Sequence, residues 1–310
     1  MPRDAPAHYY NLFGLSLRSS IALPELCPAR ADASPNVCIE SGVMAGWSVD
    51  SATSHLEVVD GAVVLTVPQV ARFTIIGGRR IIVDADCDAP AESVRLFLLG
   101  SAMGMLLHQR GVVPLHANAI VVDSGAIAFL GPSRAGKSTL AAAFLDRGHA
   151  ILADDVCALA QRNGEYMVLP GVPRLKLWRD ALENSGRQSS DYARVLGTAD
   201  KFSVPTAKPA SAEAAPLSAL LILVRDDEVD LAINRLSGME AFRAVVENIY
   251  RGSALEQIRD SSAWLGICSD LVDKIPIFEL RRGWDAKKID ASVATIAAVL
   301  ADRLSSRVVC

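Results

Sequence analysis

The 310-residue chain contains no long apolar run; stretches such as Ala219-Leu220-Leu221-Ile222-Leu223-Val224 are far too short to span a bilayer. Its opening residues lack the basic segment and apolar core of a secretory signal, so a cytoplasmic location is the expectation. Positive charge is not in excess. Lys and Arg number 31 against 35 Asp and Glu, and the net charge of −4 argues against nucleic acid or an anionic membrane as the main partner. No C-x-x-C occurs, and no histidine pair lies near a cysteine. The six cysteines (Cys27, Cys38, Cys87, Cys157, Cys268, Cys310) therefore read as reduced, mostly buried thiols rather than a zinc site or disulfide framework. Cys310 is not part of a C-a-a-X box, so no prenyl anchor is expected. Internal repeats and low-complexity tracts are also missing. What is present is core-forming material, 51% hydrophobic against 21% charged, in a length that suits one large domain or two ordinary ones.

Residues 1–88 read as a β-rich N-terminal module. Asp60-Gly61 between Leu56-Glu57-Val58-Val59 and Ala62-Val63-Val64-Leu65-Thr66-Val67 is a hairpin signal. Gly77-Gly78 between Phe73-Thr74-Ile75-Ile76 and Ile81-Ile82-Val83 is another. The expectation is a small antiparallel module serving as scaffold or docking surface. A second domain, 89–310, opens with an amphipathic helix from Ala91 to Gln109 closed by Gly111. Leu115 to Val122 reads as a strand turned by Asp123-Ser124-Gly125 into the next. Further strands are expected at Ala150–Ala153, Tyr166–Leu169, Arg174–Trp178, Lys201–Pro205, Leu217–Val224 and Ile277–Leu280. Glu183–Asp200 reads as a loop or short helix. Helices are expected at Gly238–Tyr250, Ala254–Lys274 and Ala286–Leu304. The fold class is thus α/β (α+β), with C-terminal helices.

Gly131-Pro132-Ser133-Arg134-Ala135-Gly136-Lys137-Ser138 matches G-x-x-x-x-G-K-[ST], with a strand-like run before it and a helix opening at Thr139. Glycines let backbone N–H groups wrap an anion at a helix N-terminus. Lys137 is placed to neutralise β/γ oxygens and Ser138 to join a Mg²⁺ shell. The candidate nucleotide-binding set is Gly131, Pro132, Ser133, Arg134, Ala135, Gly136, Lys137, Ser138 and Thr139. Asp154-Asp155 ends the strand after the loop's helix, where one carboxylate can hold Mg²⁺ and another accept a proton. His116 is the third candidate, on a strand that a tight turn joins to the P-loop strand. Arg134 and Arg174 are candidate phosphoryl clamps. Trp178 is read either as core or as a stacking partner for adenine.

Leu115-His116-Ala117-Asn118-Ala119, the loop Gly131 to Ser138, and Arg147-Gly148-His149-Ala150-Ile151-Leu152-Ala153-Asp154-Asp155 together resemble the catalytic domain of the HPr serine kinase/phosphorylase family. That resemblance, strongest over 115–157, implies a P-loop kinase fold shared with ATP-dependent phosphoenolpyruvate carboxykinases, and phosphate transfer from ATP to a serine hydroxyl. It implies that His116 and Lys137 are active-site residues, Ser138 a Mg²⁺ ligand and Asp155 the acceptor of the serine proton, with Asp154 near the metal. It is also compatible with a homo-oligomer. Leu169-Pro170-Gly171-Val172-Pro173-Arg174 stands where the bifunctional enzymes carry a Glu-x-Arg-Gly-Leu-Gly-type signature, and Pro209–Pro216 lacks their Gly-Arg-Asn loop. The chain is more similar to HPr-kinase-related tailoring kinases of lasso-peptide precursors, implying a serine on a small ribosomal peptide as acceptor. Alternatives are an HPr-type kinase of carbon regulation, a small-molecule kinase or ATPase, and a non-catalytic nucleotide sensor.

Overall fold

Alternating apolar residues in short runs build the first quarter of the chain into a sheet. The computed structural model describes residues 7–43, 53–122, 125–195, 200–206, 213–258, 260–283 and 289–305. The expected turn at Asp123-Ser124, part of the Glu183–Asp200 loop, the start of Pro209–Pro216, the helix start at Ala286 and Cys310 lie outside the described residues. The chain forms two compact units. One comprises residues up to Pro114 with Tyr250–Trp264, the other Leu115–Ile249 with the chain from Leu265 onward.

The first unit holds β1 (His8–Leu12), β2 (Leu15–Ser19), β3 (Val37–Ser41), β4 (His55–Val59), β5 (Ala62–Val67), β6 (Ala71–Ile76) and β7 (Arg80–Ala85). They form one sheet in the order β1-β2-β3-β7-β6-β5-β4. Both hairpins turn where expected. Asp60 and Gly61 take φ of 51° and 77°, the left-handed pair that a two-residue hairpin needs. The sheet is not wholly antiparallel, because β3 runs parallel to both β2 and β7. The expected helix is α1 (Ala91–Phe97), a π-helical turn (Leu98–Ala102) and α2 (Met103–Gln109). Leu98, Met103, Leu106 and Leu107 are fully buried, and the helix packs on β6. That burial is why the unit runs on to Pro114 rather than ending at residue 88.

Next come β8 (Val113–Leu115), β9 (Asn118–Val122), β10 (Gly125–Leu130), α3 (Lys137–Asp146), β11 (Ile151–Ala153), β12 (Cys157–Arg162) and β13 (Glu165–Leu169). They are followed by β14 (Arg174–Trp178), α4 (Arg179–Asn184), β15 (Ala193–Arg194), β16 (Lys201–Pro205), β17 (Ala215–Arg225), β18 (Leu231–Leu236) and α5 (Gly238–Glu247). The chain ends with α6 (Leu255–Ile258), α7 (Ser261–Lys274), β19 (Ile277–Arg282) and α8 (Ile289–Ser305). Strands β10, β17 and β19 run parallel at the centre of the large sheet. Buried on both faces, such strands read as unbroken apolar runs, and Ala126 to Leu130 are all fully buried. Phe129 of β10 and Phe144 of α3 stack with centroids 5.7 Å apart, fastening the helix to its strand. Burying one such ring contributes about 1.5–3 kcal/mol. Strands β14, β16 and β15 form a separate small sheet.

Several expectations need correcting. The Leu115–Val122 strand is interrupted, and His116 lies between β8 and β9 because its N–H donates to the Asn248 carbonyl (2.8 Å) instead of to a neighbouring strand. The single helix expected over Ala254–Lys274 is divided into a 3₁₀ turn, α6 and α7. There the Asp260 carboxylate accepts the main-chain N–H groups of Ser262 and Ala263, capping a new helix. Strands β12 and β18 were not anticipated. Of the five described cysteines only Cys157 and Cys268 are buried, while Cys27 and Cys87 lie exposed. Among the described residues no helix is long and apolar enough to cross a membrane.

Candidate functional site

The loop from Gly131 to Gly136 leaves the carboxyl end of β10, beside its parallel neighbour β17, where open α/β sheets form ligand crevices. Glycine is required at both ends. A Cβ on Gly131 would stand 2.9 Å from the Leu223 carbonyl oxygen, and Gly136 takes φ of 84° at the head of α3. No side chain caps that helix, so its first-turn N–H groups remain available to an anion. The Asn248 side-chain carbonyl accepts the Gly131 N–H at 2.8 Å, and its main-chain carbonyl accepts that of His116. One residue at the end of α5 thus anchors both the loop and the histidine.

A cavity of about 470 Å³ opens over the loop. Ser133 to Thr139 form its floor, and His116, Asp155, Trp178 and Lys201 are among its walls. The whole site lies within the second unit. The structure therefore brings His116, Lys137, Ser138 and Asp155 together, as the sequence spacing suggested. Asp154 does not line the cavity. Its carboxylate is buried one layer behind, accepting hydrogen bonds from Asn118 Nδ2 and the Lys176 main-chain N–H, both at 2.8 Å. Trp178 borders the cavity rather than the core, with the Arg134 guanidinium 4.8 Å from its ring centroid. Arg174 does not border it.

Lys137 is almost wholly buried and donates to the carbonyls of Gly131 (2.6 Å) and Pro132 (3.1 Å). Burial pushes its ammonium down to about 8. Asp155 adopts a left-handed φ of 65°, a strained setting for a non-glycine residue. Lys176 Nζ lies 2.7 Å from its carboxylate and Lys201 Nζ 3.7 Å. Burial alone would raise this carboxyl, but the two ammonium groups outweigh it and hold it well below the usual carboxylate range. Asp154 shifts the opposite way, pushed up by burial and then by the charge of Asp155. His116 Nδ1 is 3.2 Å from the Asp155 carbonyl oxygen. A carbonyl only accepts, so Nδ1 carries the proton and Nε2 keeps its lone pair. Burial, and then Lys137, lower its pKa, which favours the neutral ring.

Three participants were given no role by the sequence reading. Lys176 and Lys201 come from neighbouring strands of the small sheet, paired Lys176↔Ser203 and Trp178↔Lys201. Asn118 is fully buried, and its Nδ2 donates to both Ser138 Oγ (3.3 Å) and Asp154 Oδ1. Its Oδ1 is buried without a hydrogen-bond partner. The only sequence signal was its place two residues after His116.

Hydroxyl and carboxylate oxygens are the donor set that Mg²⁺ prefers, and the orphaned acceptor on Asn118 beside them fits such a site. Asn118→Ala should weaken Mn²⁺ binding to the nucleotide-loaded protein by about 10–100-fold, the usual penalty for losing a residue that orients ligands. Electron paramagnetic resonance titration of Mn²⁺ reads this directly, and an unchanged affinity would remove Asn118 from the site.

A glycine-rich loop at the head of α3, facing an aspartate–lysine cluster, defines the site. No family model matches the chain. No curated protein matches it. Among solved structures the chain is similar to the Hpr(Ser) kinase/phosphatase from Coxiella burnetii, at 16% identity and a TM-score of 0.33, over 63% of this chain and 98% of that one.

Proposed function

We propose that the chain is an ATP- and Mg²⁺-dependent kinase that transfers the γ-phosphate to a serine hydroxyl of a peptide or small protein. The observation that carries this is the convergence of Lys137, Ser138, His116 and Asp155 on one cavity. Serine Oγ bonds to the γ-phosphorus as the bond to the β–γ bridging oxygen breaks. Asp155 takes the serine proton, and ADP carries away the bridging oxygen. Lys137 turns from its own loop carbonyls to the β/γ oxygens, while uncapped N–H groups of α3 hold the phosphates. Ser138 would hold Mg²⁺, which would supply charge neutralisation at the phosphates, with Asp154 behind it tied to Ser138 through Asn118. Lys176 and Lys201 add two further cations beside the acceptor carboxylate. The sequence resemblance points to a ribosomal precursor of the lasso-peptide kind as acceptor.

One observation favours a second reading. With two lysines on it, Asp155 is a weak base in the unliganded protein, which suits a nucleotide sensor as well as a kinase. Incubation with ATP, Mg²⁺ and serine-containing peptides separates the two. A peptide gaining the mass of one phosphate is the expected result; bound ATP with no phosphorylated product would support the sensor. Equal phosphorylation of free serine would instead indicate a small-molecule kinase.

A further inference from the structure

A second cavity of about 230 Å³ adjoins the first, and the two share Thr139, Asp180 and Ala181. None of His116, Asp155 or Lys201, which mark the phosphoryl-transfer end, borders it. It lies between α3 and α4, where Ala142, Ala143 and Ala181 present only methyl groups and leave a slot. Arg282 of β19 also borders it, 8% exposed, with Nη2 2.8 Å from where a Cβ on Gly136 would stand. Among the described residues no carboxylate pairs with that guanidinium. It stands beside the positive end of α3, where a buried cation is unfavourable unless an anion joins it. The other charged side chains of this cavity are engaged with each other or nearby, Arg147 with Asp290 and Asp146 with Arg187, but Asp180 forms no ion pair among the described residues.

A nucleotide whose phosphates sit on Lys137 and Ser138 must leave its nucleoside away from the Asp155 end. The passage over Thr139 leads into this slot. We propose that the second cavity is the nucleoside subsite, with the base between the alanine-lined faces of α3 and α4. Asp180 at the junction accepts from the ribose hydroxyls, and Arg282 supplies positive charge toward the α-phosphate. This rests on the nucleotide-binding reading above.

Calorimetry on the full chain with Mg-ATP and with Mg-tripolyphosphate, which has no nucleoside, separates the two ideas. Wild type should bind both. Ala143→Leu, filling the slot, should weaken ATP by about tenfold or more and leave tripolyphosphate within about twofold. Equal effects on both ligands, or none, would overturn the subsite; failure of the wild type to bind either would overturn the nucleotide reading itself. Photolabelling the wild type with 8-azido-ATP needs no variant. Label on residues 139–147 or 179–185 is expected. Label on Trp178 would place the base over that ring in the first cavity and refute the assignment.

Discussion

Asp155→Asn is expected to bind Mg-ATP at least as tightly as the wild type while losing phosphoryl transfer by about 10²–10⁴-fold, the range for removing a general base. The binding half follows from the charges around the carboxylate. Lys176 at 2.7 Å and Lys201 at 3.7 Å lose their anionic partner in the variant, and Lys201, which borders the cavity, then faces it without that counter-charge. An amide keeps the volume and the Lys176 contact but accepts no proton at neutral pH. Single-turnover transfer to the acceptor, with ATP affinity measured separately, checks both halves. Transfer at the wild-type rate would mean that another group takes the proton.

Lys137→Met should abolish measurable stabilisation by Mg-ATP and lower kcat/KM by about 10²–10³-fold, as for other preorganised charge stabilisers. Its pH signature is more diagnostic. Burial holds the folded-state pKa of Lys137 at about 8 against 10.5 for the ordinary side chain. The unfolded chain therefore binds more protons than the folded one between those values, and stability from this group rises with pH there. It is fully present above 10.5 and lost as pH falls through about 8. The melting temperature of the nucleotide-free wild type should accordingly gain on that of Lys137→Met from pH 8 to pH 10. A constant difference across that range would show that the ammonium is not buried as described.

Much of the site was legible because its chemistry is local. The P-loop is one strand, one turn and one helix, so eight consecutive residues carry both its shape and its charge. The paired aspartates follow after a single helix and strand, and the chain is too short there to carry them far from the loop. Lys176 and Lys201 were given no role for the opposite reason. They reach Asp155 through the pairing of β14 with β16, and lysines in alternating strands look like ordinary solvated positions. Asn248 was equally hidden, since more than a hundred residues separate it from the glycine it holds. Helix boundaries failed where a side chain offered the backbone a competing bond, as the Asp260 carboxylate does to the N–H groups of Ser262 and Ala263.

By itself the sequence determined that this protein presents a glycine-rich loop between a strand and a helix, followed closely by two acids, because backbone conformation and short-range spacing follow from neighbouring residues. Only the tertiary structure decided which of the two acids faces the cavity, which lysines neutralise it, and that a buried asparagine ties Ser138 to Asp154. Those outcomes depend on which strands pair and in what register, and register is settled by packing across the whole sheet.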